Sequence, residues 1–306
     1  MVDAGRLRVL VEVAHAGSIA AAATRMAFTP SALSQQLSKL ERELGARLLD
    51  RGPGGVKLTA AGRVLVEHGE RVLGELRAAD EAVRAVLGAE PERLSIGAFP
   101  TAGQLLVPAA LGEFRSRHPT VQLSLVDLEP PAGYGLVASR ELDLLITHRY
   151  PGVALPKADG LQRVRLLDDP LLLALPAAHP LAGAAHVAFA DLGGQEWICG
   201  GPGIADLITL ERLARRAGVD VEVAFETHNY EVTLALLRAG LGMALLPASV
   251  FARADTTRVV ARELADVRPA RRVYVVLRRR PSALVSEVVE LLRTVSESVR
   301  WPSGPR

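Results

Sequence analysis

A single cysteine, Cys199, in 306 residues rules out an intrachain disulfide and gives no sign of an oxidising compartment. The seven histidines are scattered, with no H-E-x-x-H pair and no second cysteine to complete a zinc set, so no metal centre is expected. The longest apolar stretch, residues 171–190, is interrupted by Pro176, His179, Pro180 and His186, which excludes a transmembrane helix there. Glu12 and His15 break the apolar N-terminus where a signal peptide needs continuity. A cytoplasmic chain with no membrane partner is therefore expected. Nucleotide and hydrolase signatures are missing too. The run Gly200-Gly201-Pro202-Gly203 lacks the spacing of G-x-G-x-x-G, and neither G-x-x-x-x-G-K nor G-x-S-x-G occurs. No catalytic residue and no cofactor are expected. Hydrophobic residues make up 49% of the chain, enough for several cores at this length.

The most informative stretch that is present runs over residues 18–51. It reads as an alanine-rich helix, a tight turn and a second helix. Thr29 is placed to cap the second helix through its hydroxyl, and Pro30 fits the first helical position, where a missing N–H costs nothing. Ala32, Leu33, Leu37, Leu40 and Leu44 fall on one side at helical spacing. Ser31, Ser34, Gln35, Ser38 and Lys39 are left for the other side. Short, neutral or cationic side chains rich in donors suit a helix that lies in a DNA major groove. Two amphipathic helices around a turn also occur in proteins that never touch DNA, so the flanks matter. After Arg51, the residues Pro53, Gly54 and Gly55 read as a hairpin tip and residues 56–59 as a short strand. A hairpin beside such a helix is the wing of a winged helix-turn-helix. Arg51 and Lys57 flank its tip and can reach phosphates or a minor groove.

Charge is distributed to match. Residues 1–65 hold nine Lys or Arg against five Asp or Glu, a net +4, whereas the whole chain is only +2. From residue 60 to about 87 there is no proline. Leu65, Val72, Leu76, Ala79, Val83 and Val86, with Gly69 between, recur mostly at alternating steps of four and three. That is a heptad seam for a partner helix, or a stripe packed on its own domain. Gly88-Ala89-Glu90-Pro91 then reads as a hinge.

These residues together resemble the N-terminal domain of LysR-type transcriptional regulators. The resemblance is carried by Ser18 with the alanine run, the stretch Thr29-Pro30-Ser31-Ala32-Leu33-Ser34-Gln35-Gln36-Leu37, then Leu40-Glu41, Leu44-Gly45, Arg47-Leu48-Leu49, Arg51 and Leu58-Thr59-Ala60-Ala61-Gly62. Departures are Leu49 and Ile19, where the family often has phenylalanine, and Gln35, where it often has arginine. Glutamine pairs best with adenine and arginine with guanine, so a contact at Gln35 carries over but its base does not. The resemblance implies a regulator that binds double-stranded operator DNA as a homodimer or homotetramer, responds to a small-molecule effector and works with RNA polymerase. Ser31, Ser34 and Gln35 would touch bases. Thr29, Pro30, Lys39, Arg51 and Lys57 would position the helix on the backbone or adjacent minor groove.

From residue 92 onward strands and helices alternate, with strands at 94–98, 121–126, 142–147, 164–167, 171–175, 197–199, 221–226, 242–246 and 272–277. Helices are expected at 101–116, 134–139, 204–217, 230–239 and 282–299. This predicts an α/β architecture with parallel sheets. A crossover at 151–161 suggests two lobes. The layout resembles the family's effector domain, which has a periplasmic-binding-protein-like fold. The expected division is a winged helix-turn-helix at 1–60, a linker helix and hinge at 61–90, and an effector domain at 91–306. Lobe I covers about 91–159 and 268–306, and lobe II about 160–267.

Ligands of two-lobed α/β domains bind between the lobes, beyond the strand ends. Pro100 and Thr101, the Gly200–Gly203 run with Gly201, and Thr227-His228-Asn229 each follow a strand and open a helix. Three helix N-termini facing one cleft would favour a small anion. His148 follows another strand into the same region. By the resemblance, Thr101, His148, Gly201 and His228 lie near effector-contacting positions. Thr101 and Asn229 also read as plain helix caps, and His228 as a turn residue. Cys199 reads as a buried, inert thiol rather than a redox one. A solute-binding protein built on the same two lobes is the rival class, opposed by the DNA module and by the missing signal peptide.

Overall fold

The computed structural model describes residues 2–52, 55–87, 93–156, 158–184, 186–252 and 255–301. The N-terminal unit contains α1 (Ala4–Ala16), α2 (Ile19–Met26), α3 (Pro30–Leu44), the hairpin β1 (Leu49–Gly52) and β2 (Gly55–Leu58), and the long helix α4 (Ala60–Leu87). Thr29 caps α3, its hydroxyl accepting from the Ala32 N–H at 3.2 Å, and Pro30 opens the helix. Gly45 ends it in the left-handed region at φ 64°. The tight turn before α3 puts Ala27, a residue with a Cβ, at φ 56°. Leu33, Leu37 and Leu40 are fully buried against Leu10, Val13 and Leu48. Leu44, expected on the same stripe, is 41% exposed, because the helix ends there and its last turn projects past the core. Glu41 accepts from the Leu48 and Leu49 N–H groups at 2.8 and 3.3 Å, which clamps the hairpin to α3. Pro53 and Gly54 at the expected hairpin tip, the side chains of Arg51 and Val86, and the expected hinge at 88–91 lie outside the described residues.

The long helix α4 divides its apolar positions between two uses. Val66 and Leu73 are buried, and a Cβ on Gly69 would come within 2.9 Å of Leu7 and Val11, so this face packs on α1. Gly69 therefore serves its own domain, not the expected seam. Val72, Leu76, Val83 and Leu87 remain exposed, at 46, 53, 58 and 71%.

The second unit comprises β3 (Arg93–Ala98), α5 (Pro100–Leu105), α6 (Val107–Arg117), β4 (Gln122–Asp127), α7 (Tyr134–Ala138), β5 (Leu144–Arg149), β6 (Leu161–Pro176), β7 (Glu196–Cys199), α8 (Ala205–Ala217), β8 (Glu222–Glu226), α9 (Tyr230–Arg238), β9 (Ala244–Pro247), α10 (Ala248–Phe251), β10 (Val259–Arg262), β11 (Ala270–Arg278) and α11 (Ala283–Ser298). The helix expected at 101–116 is two helices, because Pro108 has no N–H to carry the ladder across the junction at Leu106.

The sheets are mixed, not parallel throughout as expected. Strand β3 runs parallel to β4 and β5, and β7 parallel to β8, but β11 is antiparallel to both β5 and β6. Two expected strands, 164–167 and 171–175, are one 16-residue strand, β6. Residues 161–170 of β6 pair with β11, and residues 171–176 pair with β9 and β10. Pro170 sits at this change of partners, where its missing N–H breaks no ladder. Strand β6 is therefore shared, its first part paired with β11 and its last part with β9 and β10. Lobe I packs α6 and α11 on its sheet around Phe114, Ile146 and Val288; lobe II has its own core around Trp197, Phe189 and Leu210.

Candidate DNA-reading face and interlobe cleft

With Leu33, Leu37 and Leu40 inside, the other face of α3 is turned outward. Ser31, Gln35, Ser38 and Lys39 are exposed and Ser34 half-buried. Thr29 and Pro30 are exposed at the start of the helix, and the Thr29 hydroxyl lies 3.0 Å from that of Ser31. Lys57 is exposed on β2, and Arg51 lies on β1 opposite Val56. The candidate DNA residues thus share one helix face and the hairpin beside it. Thr59 holds the hairpin to α4, donating to the Arg47 carbonyl at 2.8 Å and accepting from the Gly62 N–H at 3.0 Å. Gly62 is required there: a Cβ would lie 2.0 Å from the Leu48 carbonyl oxygen.

Between the lobes lies a cleft of about 520 Å³. Of the residues expected to line it, His148 and His228 do, and Pro100, Thr101 and Gly201 do not. Pro100 is exposed at the start of α5, and Gly201 is buried, with Glu226 close to where a Cβ would be. Thr101 is buried and committed elsewhere: its hydroxyl accepts from Arg271 Nη2 at 2.5 Å.

Arg271 organises a buried polar cluster behind the cleft. Its Nε and Nη2 donate to Asp169 Oδ2 at 3.0 and 2.9 Å, and Nη2 lies 3.0 Å from the Ser249 hydroxyl. Ser249 in turn donates to Asp169 from its hydroxyl at 2.7 Å and its backbone N–H at 3.0 Å. Burial opposes the charge on Arg271, but the Asp169 carboxylate outweighs it and keeps the guanidinium protonated. Asp169 stands at the crossover of β6, Arg271 and Thr101 belong to lobe I, and Ser249 to lobe II. The ion pair, through its hydrogen bonds with Ser249, therefore joins both lobes. Sequence reading missed this cluster. The available signal was a pair of acids, Asp168 and Asp169, inside an otherwise apolar run from 166 to 176.

The Phe99 ring meets His148 edge-on at 4.6 Å, and His148 meets Tyr150 at 5.3 Å. Tyr150 and Tyr230, one from each side of the cleft, bring their hydroxyls to 3.3 Å. Burial pushes the pKa of His148 down to about 4, overriding the Glu129 carboxylate 3.8 Å from Nε2. The ring is neutral at physiological pH. Cys199 lines the cleft, and burial, reinforced by Asp206, pushes its thiol well above the usual range. That is the opposite of an activated thiolate. Among the described residues no group of His, Cys, Asp or Glu is placed to hold a metal ion, and no helix is long and apolar enough to cross a membrane.

Of the three helix N-termini expected to favour an anion, α9 alone carries a side-chain cap. Asp206 accepts from the N–H groups of Gly200 and Leu207 at 3.0 and 2.8 Å at the start of α8. Asn229 accepts from Glu231 and Val232 at 2.9 and 3.4 Å at the start of α9, where Glu231 adds a negative charge. At α5 the Thr101 hydroxyl is held by Arg271.

Comparison with known proteins agrees with both halves. Residues 5–63 match the family model of a bacterial regulatory helix-turn-helix protein of the lysR family, and residues 88–297 match the LysR substrate binding domain. The chain is 30% identical over 265 residues to the HTH-type transcriptional regulator CbbR of Xanthobacter flavus, covering 86% of this chain and 75% of that protein. The crystal structure of CbnR, a LysR family transcriptional regulator, superposes with a TM-score of 0.54 at 25% identity, over 95% of this chain and all of that one. Full-length CbnR in complex with its target DNA gives 0.56 at 23% identity, covering 96% of this chain and 100% of that one. A winged helix-turn-helix joined by a long helix to a two-lobed substrate-binding domain, with both family models matched in order, makes this chain a member of the LysR family of DNA-binding transcriptional regulators.

Proposed function

We propose that the protein reads operator DNA through α3 and the β1–β2 hairpin as a homo-oligomer, and that a small molecule in the interlobe cleft controls this binding. The observation that carries the reading is the division of α3: one face is fully buried, and the other presents Ser31, Gln35 and Lys39 to solvent beside the hairpin. Ser31, Ser34 and Gln35 read base edges, while Thr29, Pro30, Lys39, Arg51 and Lys57 set the register on the phosphate backbone. The net +4 of the first 65 residues is modest, so a monomer binds weakly and a dimer doubles the attraction. Val72, Leu76, Val83 and Leu87 are the surface for the second copy, exposed at steps of four, seven and four along α4. The domains then correspond to residues 1–60, 61–90 and 91–306. Acting on DNA places the protein in the cytoplasm, with RNA polymerase as its eventual partner and no reaction of its own to catalyse. The effector acts by binding one arrangement of the lobes better than another.

Footprinting of the full chain on the DNA upstream of its own gene, over a salt series and against random DNA, tests this. Protection of two spaced half-sites, tighter than the random control, is expected. Weak, uniform and purely salt-dependent binding would overturn the base-reading role of α3.

A further inference from the structure

We propose that the interlobe cleft selects an uncharged, largely apolar small molecule bearing a hydroxyl or N–H donor, and disfavours carboxylates and phosphates. The inference rests on reading the cleft as the effector site. Its walls are mainly aliphatic: Val153 and Leu155 from one side, Ile198, Ile204 and Leu245 from the other. At about 520 Å³ the space suits a molecule of one or two rings.

The charges point the same way. Arg271, a buried cation behind the cleft, does not line it, and Asp169, Ser249 and Thr101 engage its Nε and Nη2. Among the described lining residues the carboxylates are Glu129 and Asp206, set against one guanidinium, Arg149. Asn229 caps the Glu231 and Val232 N–H groups at the start of α9, and Asp206 places a carboxylate at the start of α8, where it accepts from the Leu207 N–H. An incoming carboxylate would lose its hydration and meet a negative balance.

Beside the cleft are two buried polar atoms without a hydrogen-bond partner, Thr147 Oγ1 and His148 Nδ1. Both residues line it; Thr147 is 1% exposed, and the His148 side chain 9%. Nε2 of His148 faces the Glu129 carboxylate, so the proton of the neutral ring belongs there and Nδ1 is left as an acceptor. A ligand O–H or N–H satisfies it, whereas a carboxylate has no proton to donate. Burying an apolar body while satisfying one or two polar atoms is how such sites combine affinity with selectivity.

Titration calorimetry of the full chain at pH 7.5 with three ligands of one skeleton tests this: 4-phenylbutan-1-ol, 4-phenylbutanoate and 4-phenylbutylammonium. The alcohol is expected to bind about tenfold or more tightly than the carboxylate, the order of effect of one unfavourable charge interaction in a partly buried site. The ammonium is expected to bind more weakly than the alcohol, since it must also be desolvated. His148→Phe keeps the ring packing and removes the acceptor, and should weaken the alcohol severalfold. Glu129→Gln changes a residue whose side chain is 67% exposed, so folding is not at risk; it should strengthen the carboxylate severalfold. A carboxylate that binds as well as the alcohol, or no binding by any of the three, would overturn the inference. Preference for the alcohol combined with a failed footprint would sink the regulator reading alone. A sound footprint combined with carboxylate preference would sink only the ligand class.

Discussion

The two working surfaces of this protein are built in different ways. The candidate DNA-reading face is assembled from neighbours in sequence: the Thr29 cap reaches Ala32, three residues away, and the whole of α3 lies within 15 residues. The cleft and the cluster behind it are assembled from distant parts. Arg271 meets Asp169 across 102 residues and Thr101 across 170. The first surface points outward, and its chemistry is that of side chains in water. The second faces inward, and its chemistry depends on which charges are buried and what they are paired with. The same residue type therefore means different things in the two places. Lys39, exposed on α3, holds its charge in solvent, whereas Arg271 is buried and paired with Asp169.

The largest expected effect comes from breaking the interlobe tie. Asp169→Asn leaves a buried guanidinium without its counter-ion and should cost about 3–5 kcal/mol in chemical denaturation of the effector domain. The N-terminal domain should keep its cooperative transition, because none of its contacts pass through Asp169. A loss shared equally by both units would erase the contrast between them.

The next effect is one of pH. The unfolded chain protonates His148 near its ordinary value of 6.5, whereas the folded chain resists until about 4. Acid therefore favours the unfolded state: stability is complete above about pH 6.5 and is lost as the pH falls towards 4, by up to about 3 kcal/mol. The wild type and His148→Phe, denatured at pH 7.5 and pH 4.5, should differ in how much stability each loses. Identical losses would show that His148 is not held neutral.

Gln35→Ala should weaken specific operator binding by about 1–3 kcal/mol and leave binding to random DNA nearly unchanged. Equal losses on both DNAs would remove Gln35 from base reading. The smallest effect concerns the turn between α2 and α3. Ala27 is exposed at φ 56°, so Ala27→Gly should relieve backbone strain and raise the stability of the N-terminal domain by about 1 kcal/mol or less. A lower melting temperature would mean that the turn is not strained.

Legibility followed the same division. The cap, the proline and the apolar stripe made α3 readable, and the alternation of strands and helices made the second unit readable as two-lobed α/β. Two errors there were local. Pro108 split a helix that hydrophobic content alone joined. Asp168-Asp169-Pro170 read as a break between strands, but Asp169 is neutralised across the sheet and Pro170 falls where the strand changes partners. Other differences came from pairing. Nothing in β6 or β11 taken singly shows that they run antiparallel, or that Gly69 faces α1 instead of a second copy.

The sequence by itself determined the winged helix-turn-helix, its outward polar face, the long helix and the two-lobed class, because those features rest on hydrogen bonds and periodicities within a few turns of chain. Only the tertiary structure decided what the cleft can hold. The charge of a site is the sum over groups brought together from Thr101 to Arg271. Whether a cation there is free or neutralised, and whether a helix end is open or capped, depends on which of them meet when the sheet closes.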